Sequence, residues 1–194
     1  MEEQSGYLGI ILGPMFSGKT SHLIQIYKKY IDTGKRIVVI NHASDTRYTD
    51  KMLSSHDRVT IPCIFIDDII DAWKNTESPF FNELQEADII LINEGQFFNN
   101  LKDIVLEMVE ESSKMVVLCG LDGDFKRNPF GEILSLIPYC DSVEKLSSLC
   151  LYQCENDTPG IFTHRLSSED EQIVVGSDNY IPLCRSCYRK KTSM

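Results

Sequence analysis

The 194-residue sequence predicts an α/β fold: a parallel sheet flanked by helices, with a small cysteine-bearing module at the C-terminal end. Three observations predict it: short apolar runs that end at glycine or polar residues, segments of helical periodicity between them, and a change of character near Ser147.

Tyr7 to Leu12 is a continuous apolar run stopped by Gly13-Pro14, the pattern of a strand buried on both faces. From Lys19 to Thr33, Leu23, Ile24, Ile26, Tyr27, Tyr30 and Ile31 recur at helical spacing, and Gly34 supplies a stop. Ile37-Val38-Val39-Ile40 reads as the next strand, completing a βαβ unit with a right-handed crossover. The alternation repeats with a strand over Ile89 to Ile92, helical spacing over Leu101 to Val109, and a fourth strand at Met115-Val116-Val117-Leu118, ended by Gly120. Between the second and third strands lie a polar stretch from His42 to Arg58, the segment Val59 to Ile66, and a helix-like segment from Asp67 to Trp73. A connection that long is expected to be functional. Beyond Leu146 helical periodicity fades, and short polar stretches, cysteines and a β-type run at Gln172 to Val175 replace it. The expected division is residues 1–146 for the α/β domain and 147–194 for the satellite.

Acidic residues outnumber basic ones by 29 to 19, for a formal net charge of −10, so a nucleic-acid backbone is repelled and no nucleic-acid partner is expected. No apolar run reaches the roughly eighteen residues that a membrane-spanning helix needs. The start Met-Glu-Glu-Gln-Ser-Gly lacks the features of a signal peptide, so a soluble intracellular protein without a membrane partner is expected. Of the seven cysteines, Cys63, Cys119 and Cys140 lie in apolar surroundings and read as core residues.

Gly13-Pro14-Met15-Phe16-Ser17-Gly18-Lys19-Thr20 fits G-x-x-x-x-G-K-[ST], and it stands between a predicted strand and a predicted helix, as a phosphate-binding P-loop must. Glycines let successive backbone N–H groups turn toward phosphate oxygens, and the helix N-terminus adds partial positive charge. Lys19 reaches the β- and γ-phosphates in such a loop, and the Thr20 hydroxyl is a magnesium ligand. The implied ligand is a nucleoside triphosphate, used as a phosphoryl donor.

Ile89 to Ile92 delivers Asn93 and Glu94 to the carboxyl end of a buried strand, where open α/β sheets bind ligands. Asn93 occupies the metal-side position, where its amide can bond a metal-bound water without supplying negative charge. Glu94 is the candidate general base for an attacking hydroxyl.

Cys150 and Cys154 are separated by three residues and Cys184 and Cys187 by two, spacings that let four thiolates meet at one tetrahedral zinc. The set is closed, so the metal is expected to be structural, in a zinc-ribbon-like module. The span from Glu155 to Leu183, clamped at its base by those pairs, contains Phe162, Thr163, Ile173, Val174, Val175 and Tyr180. Those residues suit either a loop closing over a flat ligand or the satellite's own core.

Taken together, these residues resemble the type II thymidine kinases of animal cells, many bacteria and large DNA viruses, over about Tyr7 to Tyr188. The likeness is carried by the P-loop, Asp45-Thr46-Arg47-Tyr48, Ser55-His56-Asp57, Glu94-Gly95-Gln96-Phe97-Phe98, Leu121-Asp122-Gly123-Asp124-Phe125, Arg127-Asn128-Pro129-Phe130 and the cysteine pairs. The resemblance implies transfer of the γ-phosphoryl group of ATP, with Mg²⁺, to the 5′-hydroxyl of thymidine and usually of deoxyuridine. It assigns Glu94 as the base, Asn93 and Gln96 to the ATP side, and Met15, Leu121, Thr163 and Tyr180 to the surroundings of the thymine methyl. Phe125 matches the aromatic packed on the base, and the clamped span, with Phe162, Val174, Val175 and Gly176, becomes a lasso-like lid. Arg47 and Arg127 are candidate countercharges to the transferring phosphate, Arg47 the catalytic one, while His56 and Asp57 take structural roles. A structural zinc, a homotetramer, feedback inhibition by dTTP and a cytoplasmic location, in the host cytoplasm if the chain is viral, are also implied.

The chain departs from the family pattern at Asn93, where aspartate is usual, at the Cys150–Cys154 spacing, one residue longer, and at Val175, where glycine is usual. Asn93 motivates an alternative, a nucleotide-binding regulatory protein with weakened catalysis. A zinc-ribbon nucleic-acid binder driven by ATP is a third reading, which the acidic balance opposes.

Overall fold

Alternation of side chains along buried parallel strands decides the layers of the fold. The structure, a computed structural model, describes residues 5–44, 52–55, 57–152, 154, 157–174 and 176–192. In chain order, β1 (Tyr7–Leu12), α1 (Lys19–Tyr30), β2 (Ile37–His42), β3 (Met52–Ser54), β4 (Thr60–Pro62), β5 (Ile64–Ile66), α2 (Ile69–Lys74) and α3 (Phe81–Glu86) come first. They are followed by β6 (Ile89–Ile92), α4 (Leu101–Leu106), β7 (Met115–Gly120), β8 (Ser142–Lys145), β9 (Ser148–Leu149), β10 (Pro159–Gly160), β11 (Phe162–Arg165), β12 (Tyr180–Leu183) and α5 (Arg185–Thr192).

Six strands form one sheet in the order β5-β2-β6-β7-β1-β8, and every neighbouring pair is parallel. The four expected strands are its interior. The two additions are its edges: β5 lies within the Val59 to Ile66 segment of the long connection, and β8 has all four residues exposed, so no apolar run announces it.

Side chains alternate between two cores. On one face Leu8, Ile10, Val38, Ile40, Ile90, Ile92, Val116 and Leu118 meet Trp73 of α2, Leu84 of α3, and Leu101, Ile104 and Val105 of α4. On the other, Ile11, Val39, Leu91, Val117 and Cys119 meet Leu23 and Ile24 of α1, with Leu53 and Ile61 of the antiparallel β3–β4 hairpin. The hairpin is therefore part of the fold of the long connection, whose residues 45–51 and 56 lie outside the described ones.

The sheet ends at Lys145 and the chain passes into two small antiparallel pairs, β9 with β10 and β11 with β12. Leu183, Cys184, Cys187 and Tyr188 form a separate small core there, with Phe162 and Ile181 packed against it. The β-type run expected at Gln172 to Val175 is not a strand over Gln172 to Val174; Val175 lies outside the described residues. The carbonyls of Gln172 and Val174 accept from the Arg165 and Tyr180 side chains instead. Among the described residues no helix is long and apolar enough to cross a membrane.

Candidate functional site

Strands β6, β7 and β1 are neighbours, so their carboxyl ends place Asn93–Glu94, Leu121–Phe125 and the 13–20 loop side by side. The cleft between them holds about 610 Å³, in the range of small-ligand sites. Met15 to Thr20, Glu94, Gln96, Leu121, Phe125, Thr163, Val174, Gly176 and Tyr180 line it, joined by Asp57 of the long connection.

Gly13, at φ 152°, has no room for a side chain, since a Cβ would stand 2.7 Å from the Leu146 carbonyl oxygen and from Ser17 Oγ. Gly18 takes the left-handed conformation just before α1, so the loop curls onto the helix N-terminus. Lys19 is nearly buried, with its Nζ donating to the Pro14 carbonyl at 2.8 Å. The Ser17 hydroxyl is buried beneath the loop beside Gly13 and has no protein partner among the described residues.

Thr20 Oγ1 donates to Asn93 Oδ1 at 3.2 Å, and the Cys119 thiol donates to the same oxygen at 3.1 Å. Asn93 Nδ2 donates to Asn41 Oδ1 at 2.8 Å, and both asparagines are essentially inaccessible, at 1% and 0% exposure. These bonds turn the Asn93 oxygen toward Thr20. A hydroxyl and an amide oxygen are hard donors that fit magnesium, without a carboxylate's charge. Cys119, read from the sequence as a core residue, is buried as expected but also touches this site.

Glu94 is half-buried and left-handed at φ 54°, which is uncommon outside glycine and aims its side chain out of the strand direction. Gln96 holds it: Nε2 donates to Glu94 Oε2 at 2.6 Å, while Oε1 accepts from the Leu121 N–H at 3.0 Å. The amide of Gln96, expected on the ATP side, is thus engaged by Glu94 and Leu121.

The far wall is built from the Asp124 loop and β11. The Asp124 carboxylate accepts from the N–H groups of Lys126 (2.8 Å) and Asn128 (2.9 Å) and from Gln172 Nε2 (3.0 Å). Tyr188 Oη donates to the Phe125 carbonyl at 2.5 Å, so Phe125 is held from α5. Thr163 Oγ1 accepts from the Met15 N–H at 3.0 Å and ties the satellite to the phosphate loop.

Strand periodicity splits the residues expected around the substrate. Thr163 and Arg165 are buried on one face of β11, whereas Phe162 and His164 place their rings 5.2 and 5.9 Å from Tyr188. Phe162 therefore packs the satellite core and is not among the residues lining the cleft. Arg127 also leaves the cleft, its guanidinium stacking 4.6 Å from the Tyr188 ring centroid and 5.3 Å from that of Phe162. Arg47, with its neighbours Asp45, Thr46 and Tyr48, and His56 and Val175 lie outside the described residues.

The sulfurs of Cys150, Cys154, Cys184 and Cys187 all lie within 4.8 Å of one another. The Cys184 N–H donates to Cys150 Sγ at 3.2 Å and the Cys187 N–H to Cys184 Sγ at 3.5 Å. That last bond pulls the Cys184 thiol down to about 7, while hydrogen bonds shared with Cys187 and Cys184 hold the Cys154 thiol protonated far above its ordinary range. A divalent cation reverses that crowding by stabilising thiolates.

Two residues that shape the site, Asp124 and Arg165, are given no role by the sequence motifs. Asp124 sits in Asp-Phe-Lys-Arg-Asn, an Asx-turn pattern that signals its loop-holding role. Arg165 has no such signal, because exposed and buried arginines look alike in sequence.

A family model described as "Thymidine kinase" matches residues 6–188. The chain is 36% identical to "Thymidine kinase, cytosolic" of Bos taurus, over 97% of this chain and 74% of that one. It is 37% identical to "Thymidine kinase" of Yaba monkey tumor virus (strain VR587), over 98% of each. It is 34% identical to "Thymidine kinase a" of Arabidopsis thaliana, over 95% of this chain and 75% of that one.

Gly120 leaves no room for a side chain beside Gln96, because a methyl group there collides with Gln96 Oε1 and presses on Ile133. Gly120→Ala should cost about 1–3 kcal/mol in a urea melt. It should also lower turnover by freeing Gln96 from Glu94, whereas unchanged stability and turnover would show that Gln96 is not packed there.

Proposed function

The chain belongs to the thymidine kinase family, and from that premise we propose that it transfers the γ-phosphoryl group of ATP to the 5′-hydroxyl of thymidine, and of deoxyuridine, in this cleft. The observation that carries the reading is the single cleft shared by the phosphate loop, Glu94 and the β11 wall, joined by the Met15–Thr163 bond. The loop N–H groups and Lys19 hold the triphosphate. Glu94 takes the proton of the 5′-hydroxyl as its oxygen bonds to the γ-phosphorus, and the bond from that phosphorus to the departing ADP oxygen breaks. Thr20 would hold magnesium directly and Asn93 through a water, and the ion would neutralise phosphate charge. Arg47 is assigned as a countercharge from its place in the sequence. Met15, Leu121, Thr163 and Tyr180 surround the thymine methyl, and Phe125 packs on the base, with Val174, Val175 and Gly176 in the lid.

The same reading divides the chain into a nucleotide-binding domain, 1–146, and a lid-bearing satellite, 147–194, which is supported by the end of β8 at Lys145. The four clustered thiols bind a structural zinc. dTTP carries both the base and the triphosphate that the cleft accepts, which supports it as feedback inhibitor. The exposed side chain of Val143 on the edge strand β8 supports self-association, as a homotetramer, and the cytosolic relative supports a cytoplasmic location. The net charge of −10 supports the absence of a nucleic-acid partner.

Glu94→Gln should lower kcat by roughly 10²–10⁴-fold with little change in ATP affinity; retained turnover of thymidine would remove Glu94 from the role of base. Asn93→Asp should alter kcat/KM by less than about tenfold, because a carboxylate keeps the acceptor that faces Thr20 and the Asn41 amide can turn to donate to it. A rise from a near-zero rate would favour the regulatory reading instead. Cobalt titrated into metal-free protein should develop thiolate absorption saturating at one equivalent per chain, weaker as pH falls because the thiols must deprotonate; Cys187→Ala should abolish it.

A further inference from the structure

Arg165 is a cation at 3% exposure, and its surroundings are backbone oxygens. Its Nη1 donates to the carbonyls of Glu169 (2.9 Å) and Glu171 (2.6 Å), and Nη2 to that of Gln172 (3.0 Å). Nε and Nη2 both donate to Tyr180 Oη, at 3.1 and 2.8 Å, and that hydroxyl donates in turn to the Val174 carbonyl at 2.9 Å. Every N–H of the guanidinium therefore has an acceptor. Its Cζ also lies 3.7 Å from the centroid of the Phe125 ring, which lines the cleft.

We propose that Arg165 is a positioning residue for nucleoside binding: one guanidinium replaces a hydrophobic core for the segment 166–174 and backs Phe125, so that the lid and the base-packing aromatic are set together. The segment has little apolar content to fold it, with Leu166 and Ile173 each more than half exposed. Its inward carbonyls need donors, and a single planar, permanently charged fork supplies them. That explains why Gln172 to Val174, strand-like in sequence, runs as an irregular loop. Two bonds reinforce the coupling of this segment to the Phe125 loop: Lys126 Nζ to Asp170 Oδ1 at 2.9 Å and Gln172 Nε2 to Asp124 Oδ2 at 3.0 Å. The inference rests on the proposed place of the base beside Phe125.

The test uses the full chain with Arg165→Met, Arg165→Lys and Tyr180→Phe, reading steady-state constants and hydrogen exchange over 166–174. Arg165→Met should raise the KM for thymidine by about tenfold or more, leave the KM for ATP within about twofold, and speed exchange in the segment. Arg165→Lys, with fewer donors and no plane to stack, should recover part of both effects. Should Arg165→Met lack a cooperative melt, the other two variants decide, with Tyr180→Phe moving the same readouts less far. A thymidine KM that stays within about twofold in all folded variants, or an equal rise in both KM values, overturns the proposal. If the wild-type protein neither binds nor phosphorylates thymidine, the substrate reading has failed, and exchange alone decides: unchanged exchange overturns the clamp and faster exchange upholds it.

Discussion

Three adjacent strands, β6, β7 and β1, run parallel and end at the same edge of the sheet. That constraint delivers the phosphate loop, Asn93 with Glu94, and the Leu121–Phe125 segment to one place, and nothing else in the chain has to bring them together. The strands hold their positions because both faces are buried, one under α1 and the β3–β4 hairpin, the other under α2 to α4. Rigid packing on both sides is what allows half-buried polar groups at the edge to keep a fixed geometry.

Within that frame the chemistry depends on close approaches of backbone and side chain. Gly13 lets the loop lie against Leu146, and Gly120 lets Gln96 reach both Glu94 and Leu121. The Asn41–Asn93 pair is a neutral counterpart to a carboxylate site: its oxygen faces Thr20 by hydrogen bonding and not by charge. The satellite contributes a wall through Thr163, and its own order comes from the clustered thiols and the small core around Tyr188.

Much of this was legible in the residues. Four interior strands announce themselves because burial on both faces demands unbroken apolar runs, and the P-loop is recognisable because phosphate cradling demands glycines and lysine at fixed spacing. The cysteine quartet was legible for the same reason, since tetrahedral coordination dictates short gaps. β8 was not, because an edge strand with exposed side chains has no apolar signature. Phe162 looked like a substrate contact, but strand alternation turns it to Tyr188, a decision made by the β11–β12 register that composition does not encode. Gln172 to Val175 looked like a strand, yet over the described Gln172 to Val174 the carbonyls of Gln172 and Val174 accept from side-chain donors.

The central claim is that this cleft passes phosphate from ATP to thymidine. Its most direct test is to incubate the purified protein with γ-labelled ATP, magnesium and each of the four common deoxynucleosides, and to measure label in the nucleoside monophosphate. The account predicts labelled thymidine 5′-monophosphate at a rate well above the other three products. Tight binding of ATP and thymidine with no labelled monophosphate would contradict it.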